Sequence, residues 1–89
     1  MNTAEAIAEA QWKAAKLGVL SMWTVYAQPK DHPHGYVVRR FDCTAQGPVA
    51  TQDAYSGELE TIRETLYLAG LIRLERNPDD EPQIVETWL

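Results

Sequence analysis

A single cysteine, Cys43, stands among the 89 residues, so no internal disulfide can form and a reducing interior is the expected setting. No apolar run approaches the roughly 20 residues that a membrane-spanning helix needs, which excludes that class of membrane protein. Cationic side chains are few: eight Lys and Arg against thirteen Asp and Glu give a net charge of −5. Affinity for a phosphate backbone comes from Lys and Arg, so this balance argues against nucleic-acid binding as the main activity. The N-terminus carries Glu5 and Glu9 where a secretory signal would have a basic start and an apolar block. These absences together describe a cytoplasmic chain, and its length fits one domain. Also missing are a phosphate-cradling glycine loop, a dinucleotide fingerprint, a cysteine ligand set and a nucleophile–base–orienter triad. The expectation is therefore a protein that is not an enzyme and needs no cofactor.

What is present divides near Met22. Residues 1–21 are rich in alanine and electrically balanced, with Lys13 and Lys16 offsetting Glu5 and Glu9. Asn2 or Thr3 can cap a helix here, acids precede bases along it as the helix dipole favours, and Gly18 is placed to end it. Ala8, Trp12, Ala15 and Val19 share one stripe whose only large member is Trp12, so this marginal helix is expected either to dock through Trp12 or to fray. The whole −5 then lies in residues 22–89, where the hydrophobic period changes to two. Met22–Ala27 and Tyr36–Cys43 read as strands around a Pro- and Gly-bearing loop. Residues 44–55 have little apolar content, with at most a short strand near Val49–Thr51. Ser56 is expected to cap a helix to about Leu68 whose apolar stripe is Leu59, Ile62, Leu66 and Ala69, stopped by Gly70. Leu71–Glu75 and Gln83–Leu89 complete the pattern as strands, joined through a type I turn at Asn77-Pro78-Asp79-Asp80. The predicted architecture is α+β, a two-layer sandwich. An antiparallel ββαββ sheet carries one packed helix, preceded by an N-terminal helix over 1–21 that could add a third layer.

Several segments carry a resemblance. Met22-Trp23-Thr24-Val25-Tyr26, the Pro29-x-Asp31-x-Pro33 loop, Tyr36-Val37-Val38-Arg39-Arg40 and the ending Arg76-Asn77-Pro78-Asp79-Asp80-Glu81-Pro82-Gln83-Ile84-Val85-Glu86-Thr87-Trp88-Leu89 resemble a family of very small uncharacterised bacterial proteins. That family is found in proteobacterial chromosomes and prophage-like regions. The similarity covers residues 22–89, and members of the family begin at the position of Met22. The resemblance implies a shared fold and no particular chemistry, and it sets residues 1–21 apart as a helical extension.

The side chains offer few chemical sites. His32 and His34, with Cys43, are the one set of metal-type donors, but a structural zinc site takes four ligands and Cys43 lies a strand away from the loop. The same Cys43 beside a histidine lacks the orienting group and oxyanion pocket that a thiol nucleophile needs. Asp79, Asp80 and Glu81 form an acidic tip that reads as a solvated turn, its spacing unlike that of a calcium loop. Arg39 and Arg40 are neighbours on a strand and must point to opposite faces, so they cannot form one anion clamp; the inner one should pair with a carboxylate at the sheet margin. The aromatic residues Trp23, Tyr26, Tyr36 and Trp88 are the most informative set. On strands, Trp23, Val25 and Ala27 oppose Met22, Thr24 and Tyr26, while Val85, Thr87 and Leu89 oppose Ile84, Glu86 and Trp88. One helix covers one sheet face, so bulky rings remain for the other, to be met by Trp12 or by another chain. The leading expectation is a small accessory protein that binds a protein partner, or itself, through a sheet face or edge. Two alternatives stand beside it: a small-ligand or metal-binding protein using the Asp31–Gly35 loop, and a phage-type nucleic-acid accessory protein stacking bases on the aromatic rings, against which the net charge argues.

Overall fold

The computed structural model describes residues 3–27 and 35–89. The elements run α1 (Thr3–Lys16), β1 (Leu20–Ala27), β2 (Tyr36–Thr44), β3 (Gly47–Gly57), α2 (Leu59–Leu68), β4 (Arg73–Leu74) and β5 (Ile84–Trp88). The strands form one antiparallel sheet in the order β3-β2-β1-β5-β4. The chain is therefore α+β, but its element order is αβββαββ rather than a helix followed by ββαββ. The additional strand is β3, whose 11 residues pair with β2 through a tight turn closed by Thr44, whose Oγ1 donates to the Gly47 carbonyl at 2.7 Å. At the sheet edge, β3 needs little apolar content, because one of its two hydrogen-bonding sides faces solvent. Its pairing runs on to Gly57 opposite Tyr36, so Ser56 is a strand residue and α2 starts at Leu59.

Both helices end in the same way. Gly18 at φ 74° and Gly70 at φ 88° occupy the left-handed region. Val19 N–H then donates to the Ala14 carbonyl at 2.9 Å, and Leu71 N–H to the Leu66 carbonyl at 3.2 Å. These are Schellman closures, which satisfy the last carbonyls and turn each helix sharply toward the next strand. Leu71, the residue after the turn, is buried against Leu66 in the core.

One core holds the molecule together. Ile7 of α1, Ile62 and Leu66 of α2, and Trp23, Val25, Val38 and Trp88 of the sheet form a single cluster, with Ile7, Trp23, Val25 and Leu66 all at 0% exposure. Both helices thus lie on the same face of the sheet, side by side, and the molecule is a two-layer slab with extents 36 × 33 × 21 Å. The N-terminal helix adds no third layer. It docks through Ile7, Ala10 and Ala14, whereas Trp12 is 61% exposed, with the Lys16 ammonium 4.3 Å from its ring centroid. Ala8 and Ala15 share the exposed side. No helix among the described residues is long and apolar enough to cross a membrane. The Asn2 cap and the loop residues 28–34, including His32 and His34, lie outside the described residues.

Candidate functional site

Strand alternation sorts the side chains into a covered and an open face. On the covered face, Trp23 and Trp88 are cross-strand partners under the helices, and both are buried. Trp23 stacks on Tyr55 with centroids 6.5 Å apart, and its indole N–H donates to Gln11 Oε1 of α1 at 2.8 Å. Tyr36 packs at the margin of the same core. Of the aromatic residues singled out in the sequence, Tyr26 alone lies on the open face. Trp12 is exposed on the outer side of the helical layer, away from the sheet.

The charged groups of the covered face are tied to one another. Glu86, 3% exposed, accepts from Arg63 Nη2 at 2.7 Å, from Arg63 Nε at 3.1 Å and from the Trp88 indole at 2.8 Å. Burial pushes the Glu86 carboxyl up, but the Arg63 and Trp88 hydrogen bonds, with the charges of Arg63 and Arg73, outweigh that and hold it below its ordinary value. Arg40 points to this face, as its position beside Arg39 requires. It donates to Asp53 at 2.9 Å, to Asp42 at 2.5 Å and to Ser21 Oγ at 3.1 Å. A cleft of about 320 Å³ opens beside it under α1, but the guanidinium there is already held by its two carboxylates. Among the described residues no buried side-chain nitrogen or oxygen lacks a hydrogen-bond partner. The acidic tip is likewise occupied in closing its own turn: Asp80 N–H donates to the Asn77 carbonyl at 2.9 Å and Asp80 Oδ2 accepts from Asn77 N–H at 3.0 Å. Among the described residues, no group of three His, Cys, Asp or Glu side chains converges on one point.

The open face has a different character. Leu20, Met22, Thr24 and Tyr26 of β1 stand opposite Cys43, Phe41, Arg39 and Val37 of β2. Beyond them lie Pro48, Ala50, Ala54 and Ser56 of β3. On the other flank, Thr87 of β5 pairs with Leu74 of β4, and Ile72 and Leu89 exchange backbone hydrogen bonds at 2.8 and 2.9 Å, which extends the ladder by one pair. Strict alternation fails at one place in β5. Val25 pairs with Glu86 but Tyr26 pairs with Ile84, so a bulge at Val85 sends Val85 into the core and Ile84 to the open face.

This face is apolar in two distinct zones. Tyr26 and Phe41 lean toward each other, with centroids 6.3 Å apart, across the Thr24 position. Thr24 is 4% exposed beneath them although, among the described residues, no helix lies on that side. Beside this aromatic ridge runs an aliphatic flank in which Leu20 is 60%, Ile72 70%, Leu74 43% and Leu89 39% exposed. Arg39 is the one charged side chain among the paired positions of the open face, and it reaches outward to the Thr51 carbonyl on β3. Sequence reasoning left out Leu20, Ile72 and Leu74, although the alternation Leu20, Met22, Thr24, Tyr26 was the signal that places the first of them. Among the described residues, no element covers the face. Compared with known protein families, with curated proteins and with solved structures, the chain matches none of them.

Proposed function

We propose that this chain is a non-catalytic interaction protein that binds a protein partner through the open face of its sheet. The observation that carries the proposal is a five-stranded, largely apolar face whose paired positions bear one charged side chain, Arg39, held to the Thr51 carbonyl of β3. Contiguous exposed apolar area of this kind marks contact surfaces, since monomeric proteins rarely leave it bare. The sheet edges are poorer candidates for adding a strand. β4 has two residues, and β3 carries Pro48 and a bulge that sets residues 51–53 against Arg40 alone, where Thr51 Oγ1 donates to the Arg40 carbonyl at 2.7 Å. Proline and bulges are the usual means of blunting an edge. The ionisable groups of the covered face tie α2 to β5 through Arg63 and Glu86, and β2 to β3 through Arg40 and Asp53, which speaks for a structural role for them. Nucleic acid is a poor fit for the open face, because among its described paired positions a phosphate backbone would meet one arginine.

A photo-crosslinking amino acid at position 72, installed in the protein in its native cell, tests the proposal. The exposed position 64 on α2 serves as the control. Position 72 should give a defined protein adduct that position 64 does not. Equal or absent crosslinking at the two positions would overturn the proposal.

A further inference from the structure

We infer that the occupant of the open face is a second copy of this chain, packed face to face about a two-fold axis. The inference rests on the proposal that this face is a binding surface, and adds what binds there. Five strands about 4.8 Å apart and about seven residues long at roughly 3.3 Å each give a plan area of roughly 500 Å². Side-chain relief raises the accessible area toward the roughly 800 Å² per partner that a stable complex buries. One such face is therefore of the order of the area that a small dimer at the low end of the range buries.

The relief of the face is also self-complementary. The Tyr26–Phe41 ridge lies on the β1–β2 side and the aliphatic flank of Leu20, Leu89, Ile72 and Leu74 on the β1–β5–β4 side. A two-fold axis along β1 exchanges the two sides, so the ridge of each copy lies over the flank of the other. In an isologous contact that fit is satisfied twice by one surface. Arg39, pulled toward Thr51 at the β3 margin, falls at the rim of such an interface, where its charge stays in water. Two sheets paired in this way would lie about 10 Å apart, with their strands crossing at about 30° because each sheet is twisted. Association should strengthen with added salt, because apolar burial is unharmed and the repulsion between two chains of charge −5 is screened.

Light scattering after size exclusion, from submicromolar to about 100 µM, tests this directly. The natural chain should show twice the mass of one copy. Leu20→Lys and Ile72→Lys should shift it to a single copy, with the dissociation constant raised on the order of a hundredfold, since each places two ammonium groups in the apolar contact. Both residues are mostly exposed, so the variants should fold, which circular dichroism checks. Tyr67→Lys, on the outer side of α2 where Tyr67 is 73% exposed, should leave the dimer intact. A natural chain that stays single throughout would overturn self-association, and so would a dimer broken by Tyr67→Lys but not by Ile72→Lys. The crosslink from position 72 separates these failures from failure of the surface itself, because an adduct with a different protein would leave the surface standing.

Discussion

Replacing Ile7 with alanine separates two accounts of how the N-terminal helix is held. Ile7 is 0% exposed and packs with Trp23 and Leu66, so Ile7→Ala removes three buried carbons and leaves a cavity roofed by an α-helix. Substitutions of this kind cost about 2–5 kcal/mol, and full burial between two helices and a sheet places this one near 3–4 kcal/mol. A chain of this length has a total stability of roughly 4–13 kcal/mol, so the variant should lose a large share of it. At about 4–8 °C per kcal/mol, the melting temperature should fall by roughly 12–32 °C. Trp12→Ala is the paired control. That ring is 61% exposed and contacts Lys16, so its loss should cost less than about 1 kcal/mol. Thermal and urea denaturation followed by circular dichroism measure both. If Trp12→Ala proves the more damaging of the two, the docking of α1 described above is wrong.

Two further perturbations address the rest of the fold. Glu86 has its carboxyl held below the ordinary value of 4.5, so its stabilising contribution is complete above that value and disappears as the pH falls through the lowered one. Glu86→Gln should cost about 2 kcal/mol at pH 7, below the cost of breaking a fully buried pair because Arg63 is partly exposed and water can replace some of the lost bonds. It should also flatten the loss of stability on acidification, and an unchanged acid profile from urea denaturation at stepped pH would contradict the role given to this carboxylate. Gly70→Ala places a side chain at φ 88°, where nothing lies within 4 Å of the added carbon, so the penalty is conformational, about 1 kcal/mol, with no change in the fold. A neutral result in denaturation would refute the Schellman closure of α2.

Much of the fold could be read from the sequence where periodicity and punctuation coincide. The α2 stripe of Leu59, Ile62, Leu66 and Ala69 faces the core, Gly18 and Gly70 stop their helices, Arg39 and Arg40 diverge, and Asn77–Asp80 closes its turn. The misses have separate causes. β3 is an edge strand and owes its existence to main-chain pairing with β2, which leaves little mark on composition. In α1 the stripe through Trp12 and the stripe through Ile7, Ala10 and Ala14 both have helical spacing, and in an alanine-rich helix the largest residue drew the assignment. Trp12 lies instead against Lys16, where a ring can rest in contact with water and an ammonium. The bulge at Val85 broke the alternation for one residue. Amphipathicity also shows that each helix needs a sheet face without showing that both choose the same one, and that choice leaves the second face uncovered among the described residues. Of the proposed site, Tyr26 was recognised, while Trp23 and Trp88 became core, because large rings serve interfaces and interiors equally well.

Hydroxyl-radical footprinting at low and high protein concentration measures the central claim most directly, since it reads side chains on both sides of the slab at once. In dilute protein, Leu20, Phe41, Ile72 and Leu74 should be oxidised while Ile7, Trp23 and Leu66 are spared. On concentration, protection should spread over the first group and leave Trp12 and Tyr67 reactive. Protection at Trp12 and Tyr67, with the sheet residues still open to attack, would place the contact on the helices and contradict the account.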